Sequence, residues 1–206
     1  MSRSRVDRRG ILKFLGSVPL AAGFAFTGAQ AQAAGQLARK QAAKGAATTP
    51  KFFSPHEWAT VRVLADIVIP RDERSGGATD ALVPEFMDFI LDDPLADPRA
   101  RERNQIRMRG GLAWLDLECG RRFSGRTFFE AGEDERKAVL DDIAYPKTAP
   151  PEMAAGVVFF NAFRDLTASG FWSSKLGVAD IQYLGNTFVA EWKGCPQDVL
   201  KKLGLG

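Results

Sequence analysis

The sequence predicts a mostly α domain. Apolar residues recur at helical spacing in five separate stretches, cap-then-proline signals open several of them, and no convincing series of alternating strands or internal repeat appears. The expected architecture is a compact domain of about five helices spanning residues 52–206, with an irregular, aromatic-rich C-terminal segment. Before it, residues 1–33 read as an export leader and residues 34–51 as a flexible tether.

The leader comes first in the chain. Arg8 and Arg9 stand directly before Ile11, Leu12 and Phe14, and a moderately apolar run from Val18 to Phe26 is interrupted by Pro19 and Gly23. Small residues then offer A-x-A cleavage points at Ala29-Gln30-Ala31 and Ala31-Gln32-Ala33. A basic head, apolar middle and small-residue exit make an export signal, and the paired arginines point to the twin-arginine route, with an ordinary secretory signal as the alternative. A membrane anchor fits poorly, because spanning takes about 20 mostly apolar residues and Lys13, Pro19 and the glycines dilute this run. Residues 34–51 hold Ala, Gly, Gln, Thr and Lys without an apolar period, so they have little to bury.

Charge divides at the same place. The chain has 206 residues and a formal net charge of +3, but residues 1–47 hold eight of the 28 Lys and Arg and only one of the 25 acids, a net of +7. The remainder is therefore −4, which argues against a nucleic-acid partner, since that needs a clustered basic face on the folded part.

The first predicted helix opens with Ser54 as N-cap, Pro55 at the first position and Glu57 completing a capping box. Trp58, Val61, Leu64, Ala65 and Val68 form its buried stripe, and Pro70 ends it. His56, in its first turn, reads as a surface or capping residue with no catalytic partner in view. After a polar stretch with a Gly76-Gly77 turn, Pro84 opens a second helix with Phe86, Phe89, Ile90 and Leu91 inward, closed by Asp92-Asp93-Pro94. Asp97-Pro98 repeats the cap-then-proline start. The third helix is arginine-rich at first (Arg99, Arg101, Arg103, Arg107, Arg109) and apolar from Leu112 through Trp114, Leu115 and Leu117 to Cys119. Gly110 and Gly111 inside it cost about 2 kcal/mol against alanine, so either the helix bends there or another backbone comes close. A fourth helix spans Glu133 to Ala144 with Val139, Leu140 and Ile143 inward, and a fifth runs from about Glu152 to Ala168, with Gly170 as its C′ residue. Phe171, Trp172 and the Tyr183 region then make the irregular segment, which packs either on the core or on another protein.

The reactive inventory is small. There are one histidine and two cysteines, with no haem-attachment motif, zinc cluster, P-loop, dinucleotide fingerprint or nucleophile elbow. An even cysteine count in an exported chain favours a Cys119–Cys195 disulfide, tying the tail to the body with about 4–5 kcal/mol of loop-closure stabilisation; two unpaired thiols are the alternative. An enzymatic reading would have to use Asp66, Asp72 or His56, none of which has a second catalytic group at a recognisable spacing. A free-standing periplasmic binding or adaptor module is a further reading.

Three features combine into a resemblance: the Arg8-Arg9 leader, the first helix from Phe53-Ser54-Pro55-His56-Glu57 to Ile69-Pro70-Arg71-Asp72, and the tail from Phe163-Arg164-Asp165-Leu166 through Phe171-Trp172-Ser173-Ser174 to Tyr183-Leu184-Gly185-Asn186. Together they resemble the gluconate 2-dehydrogenase subunit 3 family, the small subunit of FAD-dependent sugar and sugar-acid dehydrogenases. The resemblance implies a chain with no cofactor of its own. The large partner, of the glucose-methanol-choline oxidoreductase type, would hold FAD, and a multihaem cytochrome c subunit would often accept the electrons. The small subunit would supply the export signal, through Arg8 and Arg9 and the twin-arginine translocase, and help the large one fold. The complex would sit in the periplasm, peripheral to the inner membrane. From sequence character alone, Gly110, Gly111, Phe171, Trp172 and Tyr183 are the expected partner contacts.

Overall fold

Eight α-helices and one 3₁₀ turn, without a strand, make up the described residues of the computed structural model, which are 23–43, 49–182, 191 and 194–205. The mostly α prediction therefore holds. In chain order the helices are α1 (Gly28–Ala42), α2 (Pro55–Val68), α3 (Val83–Asp92), α4 (Pro98–Arg122), α5 (Glu133–Ala144), α6 (Ala154–Trp172), α7 (Lys175–Asp180) and α8 (Gln197–Lys202), with the 3₁₀ turn at Pro151–Met153 leading into α6. The five helices expected from sequence are α2 to α6. Arg8, Arg9 and Tyr183 lie outside the described residues.

Local chemistry sets the helix starts. The Ser54 hydroxyl accepts from Glu57 N at 3.2 Å, and the Glu57 carboxylate accepts from Ser54 N at 2.8 Å, which closes the predicted capping box of α2. Asp97 caps α4 by accepting from Ala100 N at 2.9 Å. Before α5, Glu135 reaches back to accept from Gly132 N at 2.8 Å. The chain is led into α2 by a residue of another helix. Asp88 of α3, 5% exposed, accepts the amides of Lys51, Phe52 and Phe53 at 2.9, 2.9 and 3.3 Å. Burying a carboxylate is costly unless donors surround it, and three backbone N–H groups meet that condition here.

α6 is the axis of the domain and touches α1 to α5 and α7. Its Gly156 lies under the ring of Trp114 of α4, while Gly111 of α4 lies under the ring of Phe159 of α6. A Cβ at either glycine would overlap the facing ring, so the two helices lock through reciprocal ring-on-glycine contacts. The Gly110-Gly111 pair thus reflects the close approach of a side chain; α4 runs through both residues as one 25-residue helix. At its far end, Arg122 joins Glu118 at 2.5 Å to Asp142 of α5 at 2.7 Å. The Arg121 hydrogen bond, with help from Arg122, holds the Glu118 carboxyl below its ordinary range.

Four expectations need correction. First, residues 34–42 were expected to belong to a flexible tether, yet with residues 28–33 they form α1. Ala34 and Ala38 are buried there at i, i+4 spacing, and alanine is small enough to let α1 lie close on α3 without the large apolar period a sequence scan seeks. Second, Phe171 and Trp172 belong to α6 rather than to an irregular segment, and Gly170 sits inside that helix against Phe86 and Val83. Third, the chain then forms α7, capped by Ser174, whose hydroxyl accepts from Gly177 N at 3.0 Å. Fourth, Cys119 and Cys195 are not bridged: Cys119 is fully enclosed in the core, whereas Cys195 is exposed just before α8.

Candidate interaction surface

The groups that an enzymatic reading would use are occupied with local structure. Asp66 of α2 accepts Thr79 N at 2.8 Å and Thr79 Oγ1 at 2.7 Å, pinning the loop before α3. Asp72 accepts Arg74 N and Ser75 N, both at 2.8 Å, in a tight turn, and these two backbone hydrogen bonds lower its pKa. His56 does have a partner that its sequence surroundings do not reveal: its Nε2 lies 2.7 Å from Asp116 Oδ2 on α4, and Asp116 Oδ1 accepts Phe128 N at 2.9 Å. The pair thereby ties the start of α2 to α4 and to the loop after it. Among the described residues no group of three His, Cys, Asp or Glu side chains could hold a metal ion.

The arginines in the first half of α4 also have local work that sequence reasoning missed. Arg101 donates to Asp93 O at 3.3 Å, Arg107 to Gly23 O, and Arg109 to Phe52 O at 2.9 Å while lying over the Phe52 ring. They fasten earlier chain segments by their carbonyl oxygens.

What remains is surface. Of the expected contact residues, Gly111 and Phe171 are buried inside the domain and cannot meet a partner. Gly110 is exposed, with open space where a Cβ would stand, and Trp172 is 42% exposed with its ring edge-on to Phe171 at 4.9 Å. Gly110 also belongs to a longer feature. Ile106, Gly110, Ala113 and Leu117 follow one another at steps of four, three and four, so they share one face of α4, and all four are exposed. Ile106 is 65% and Leu117 74% exposed. The signal for this stripe was present in the sequence: Leu117 falls out of phase with the inward Leu112, Leu115 and Cys119.

A family model described as gluconate 2-dehydrogenase subunit 3 matches residues 55–191, from the first residue of α2 to beyond α7. The chain belongs to this family. No curated protein and no solved structure matches it. As a gluconate 2-dehydrogenase subunit 3 chain it is a component of a dehydrogenase complex, and partner subunits are implied by that membership. The family match does not include α1, which packs chiefly on α3 of the matched region. Among the described residues of this family member, no helix is long and apolar enough to cross a membrane.

Proposed function

We propose that the chain is the non-catalytic small subunit of a periplasmic, FAD-dependent sugar or sugar-acid dehydrogenase. It carries a large flavin subunit of the glucose-methanol-choline type across the membrane and stabilises it there. FAD belongs to that large subunit, which in such complexes often passes its electrons to a multihaem cytochrome c subunit. Arg8 and Arg9 address the complex to the twin-arginine translocase. This route moves folded proteins, so one leader serves two chains only if they dock before export.

The observation that carries this reading is the apolar stripe on α4 of a chain whose family is a complex subunit. Ile106 and Leu117 stand mostly in water, Gly110 between them lets a partner backbone approach closely, and covering the two large side chains is worth about 1.5–3 kcal/mol each. The large subunit is the occupant this reading assigns to the face.

Replacing Arg8 and Arg9 together by lysine is expected to strand the large flavin subunit in the cytoplasm, followed by fractionation and immunoblot. A large subunit that still reaches the periplasm would rule out the escort role. Ile106→Asp with Leu117→Asp is expected to leave the melting temperature of the small subunit within about 2 °C of wild type, since both sites are exposed. The same variant should lose most of the co-purifying flavin subunit. Undiminished co-purification would place the interface elsewhere.

A further inference from the structure

The residues before and within α1 are fastened to the domain by side chains of α3, of α4 and of the loop between them. Asn104 of α4, 3% exposed, grips Ala25 from both sides of its backbone: its Oδ1 accepts Ala25 N at 3.1 Å and its Nδ2 donates to Ala25 O at 2.9 Å. Arg107 donates to Gly23 O and lies over the Phe24 ring at 5.9 Å. Phe24 is buried, and Phe26 meets Phe86 of α3 edge-on at 6.2 Å. Thr27 and Gln30 then close a capping box, with Thr27 N donating to Gln30 Oε1 at 2.8 Å and Gln30 N to Thr27 Oγ1 at 3.2 Å. Gln30 also donates to Asp93 at 2.8 Å, and Ala34 and Ala38 bury against the body.

Both A-x-A sequences, Ala29-Gln30-Ala31 and Ala31-Gln32-Ala33, lie in the first turns of this docked helix. A peptidase reads its substrate as an extended strand that pairs with its own backbone. Residues 29–33 meet that demand only after α1 unwinds and Gln30 leaves Asp93. We propose that residues 23–42 are an integral part of the folded domain, and that their docking blocks cleavage after Ala31 and Ala33, so that any leader is released upstream of Phe24. The processing part rests on the reading of residues 1–33 as an export leader. On the twin-arginine route the domain is already folded when the peptidase meets it, so the protection is in place at the moment of cleavage.

Two measurements test this. The first uses purified full-length chain and elastase, which cuts after small residues. Cleavage of a folded protein follows the population of the opened segment. Ala34→Asp places a charge at a buried position of α1 and leaves α2 to α6 unaltered, so it is expected to raise the cleavage rate within residues 29–34 at least tenfold over wild type. Equal rates would overturn the docking. The second is N-terminal sequencing and intact mass of the protein recovered from the periplasm. Wild type should begin at or before Phe24, and Ala34→Asp should begin at Gln32 or at position 34. A wild-type chain starting at Gln32 or Ala34, or an Ala34→Asp chain with an unshifted start, would overturn the protection. A chain that never leaves the cytoplasm defeats the export reading alone, and the elastase rates still decide the docking.

Discussion

Cys119 stands near the end of α4 with its thiol sealed inside the core, and that burial, with the nearby Asp116 carboxylate adding to it, pushes its pKa up to about 11. Cys195 is exposed. At pH 8 one thiol per chain should therefore react with iodoacetamide in the native state and two in guanidinium, read by mass spectrometry with the adduct mapped to Cys195. Two unreactive sulfurs under both conditions would restore the disulfide. An even cysteine count in a chain read as exported favours a bridge, but pairing depends on where two side chains point, and Cys119 points into the body. The same limit governs the other residues. The Ser54–Glu57 capping box was legible because both partners lie within one turn. The His56–Asp116 pair, separated by 60 residues, was not, nor was Asp88, which reads as an anomalous acid on an apolar face until the three amides it accepts are seen.

At the scale of elements, two adjacent glycines on α4 have opposite surroundings. Gly111 faces α6 and would drive a methyl group into the Phe159 ring; Gly110 faces water with nothing near. Gly111→Ala is expected to destabilise the domain by about 1–3 kcal/mol, because the ring must shift within a close-packed core. Gly110→Ala is expected to stabilise it by about 0.5–1 kcal/mol, because alanine lowers the entropy lost when the helix forms and meets no obstacle. Urea denaturation of both variants checks the signs, and equal effects would mean that the α4–α6 interlock is wrong. The sequence shows two glycines inside a helix; it does not show which side each one faces, since that depends on the phase of α4 against a helix that follows much later in the chain. The same reasoning explains α1. Its capping box, Thr27 to Gln30, fell within the residues read as a leader, and its buried face is made of alanines, whose apolar character is too weak to outline a stripe.

Across the whole molecule, burial is distributed unevenly. α6 lies against almost every other helix, and nine of its residues are buried; α8 buries none, and its neighbours Leu203 and Leu205 are 64% and 72% exposed. A six-residue helix that buries none of its residues is marginal in water, because the cost of nucleation is spread over too few hydrogen bonds. Local opening should follow the same gradient, since regions with few buried contacts open first. Amide exchange is therefore expected to be fastest in α8 and slowest in α6. None of residues 194–205 is buried, so on deleting residues 194–206 the stability change should stay within about 0.5 kcal/mol and the melting temperature within about 2 °C. A fall of more than about 5 °C on that deletion would mean that the tail bears on the body more firmly than its exposure implies. Protection in α8 equal to that in α6 would require the same revision.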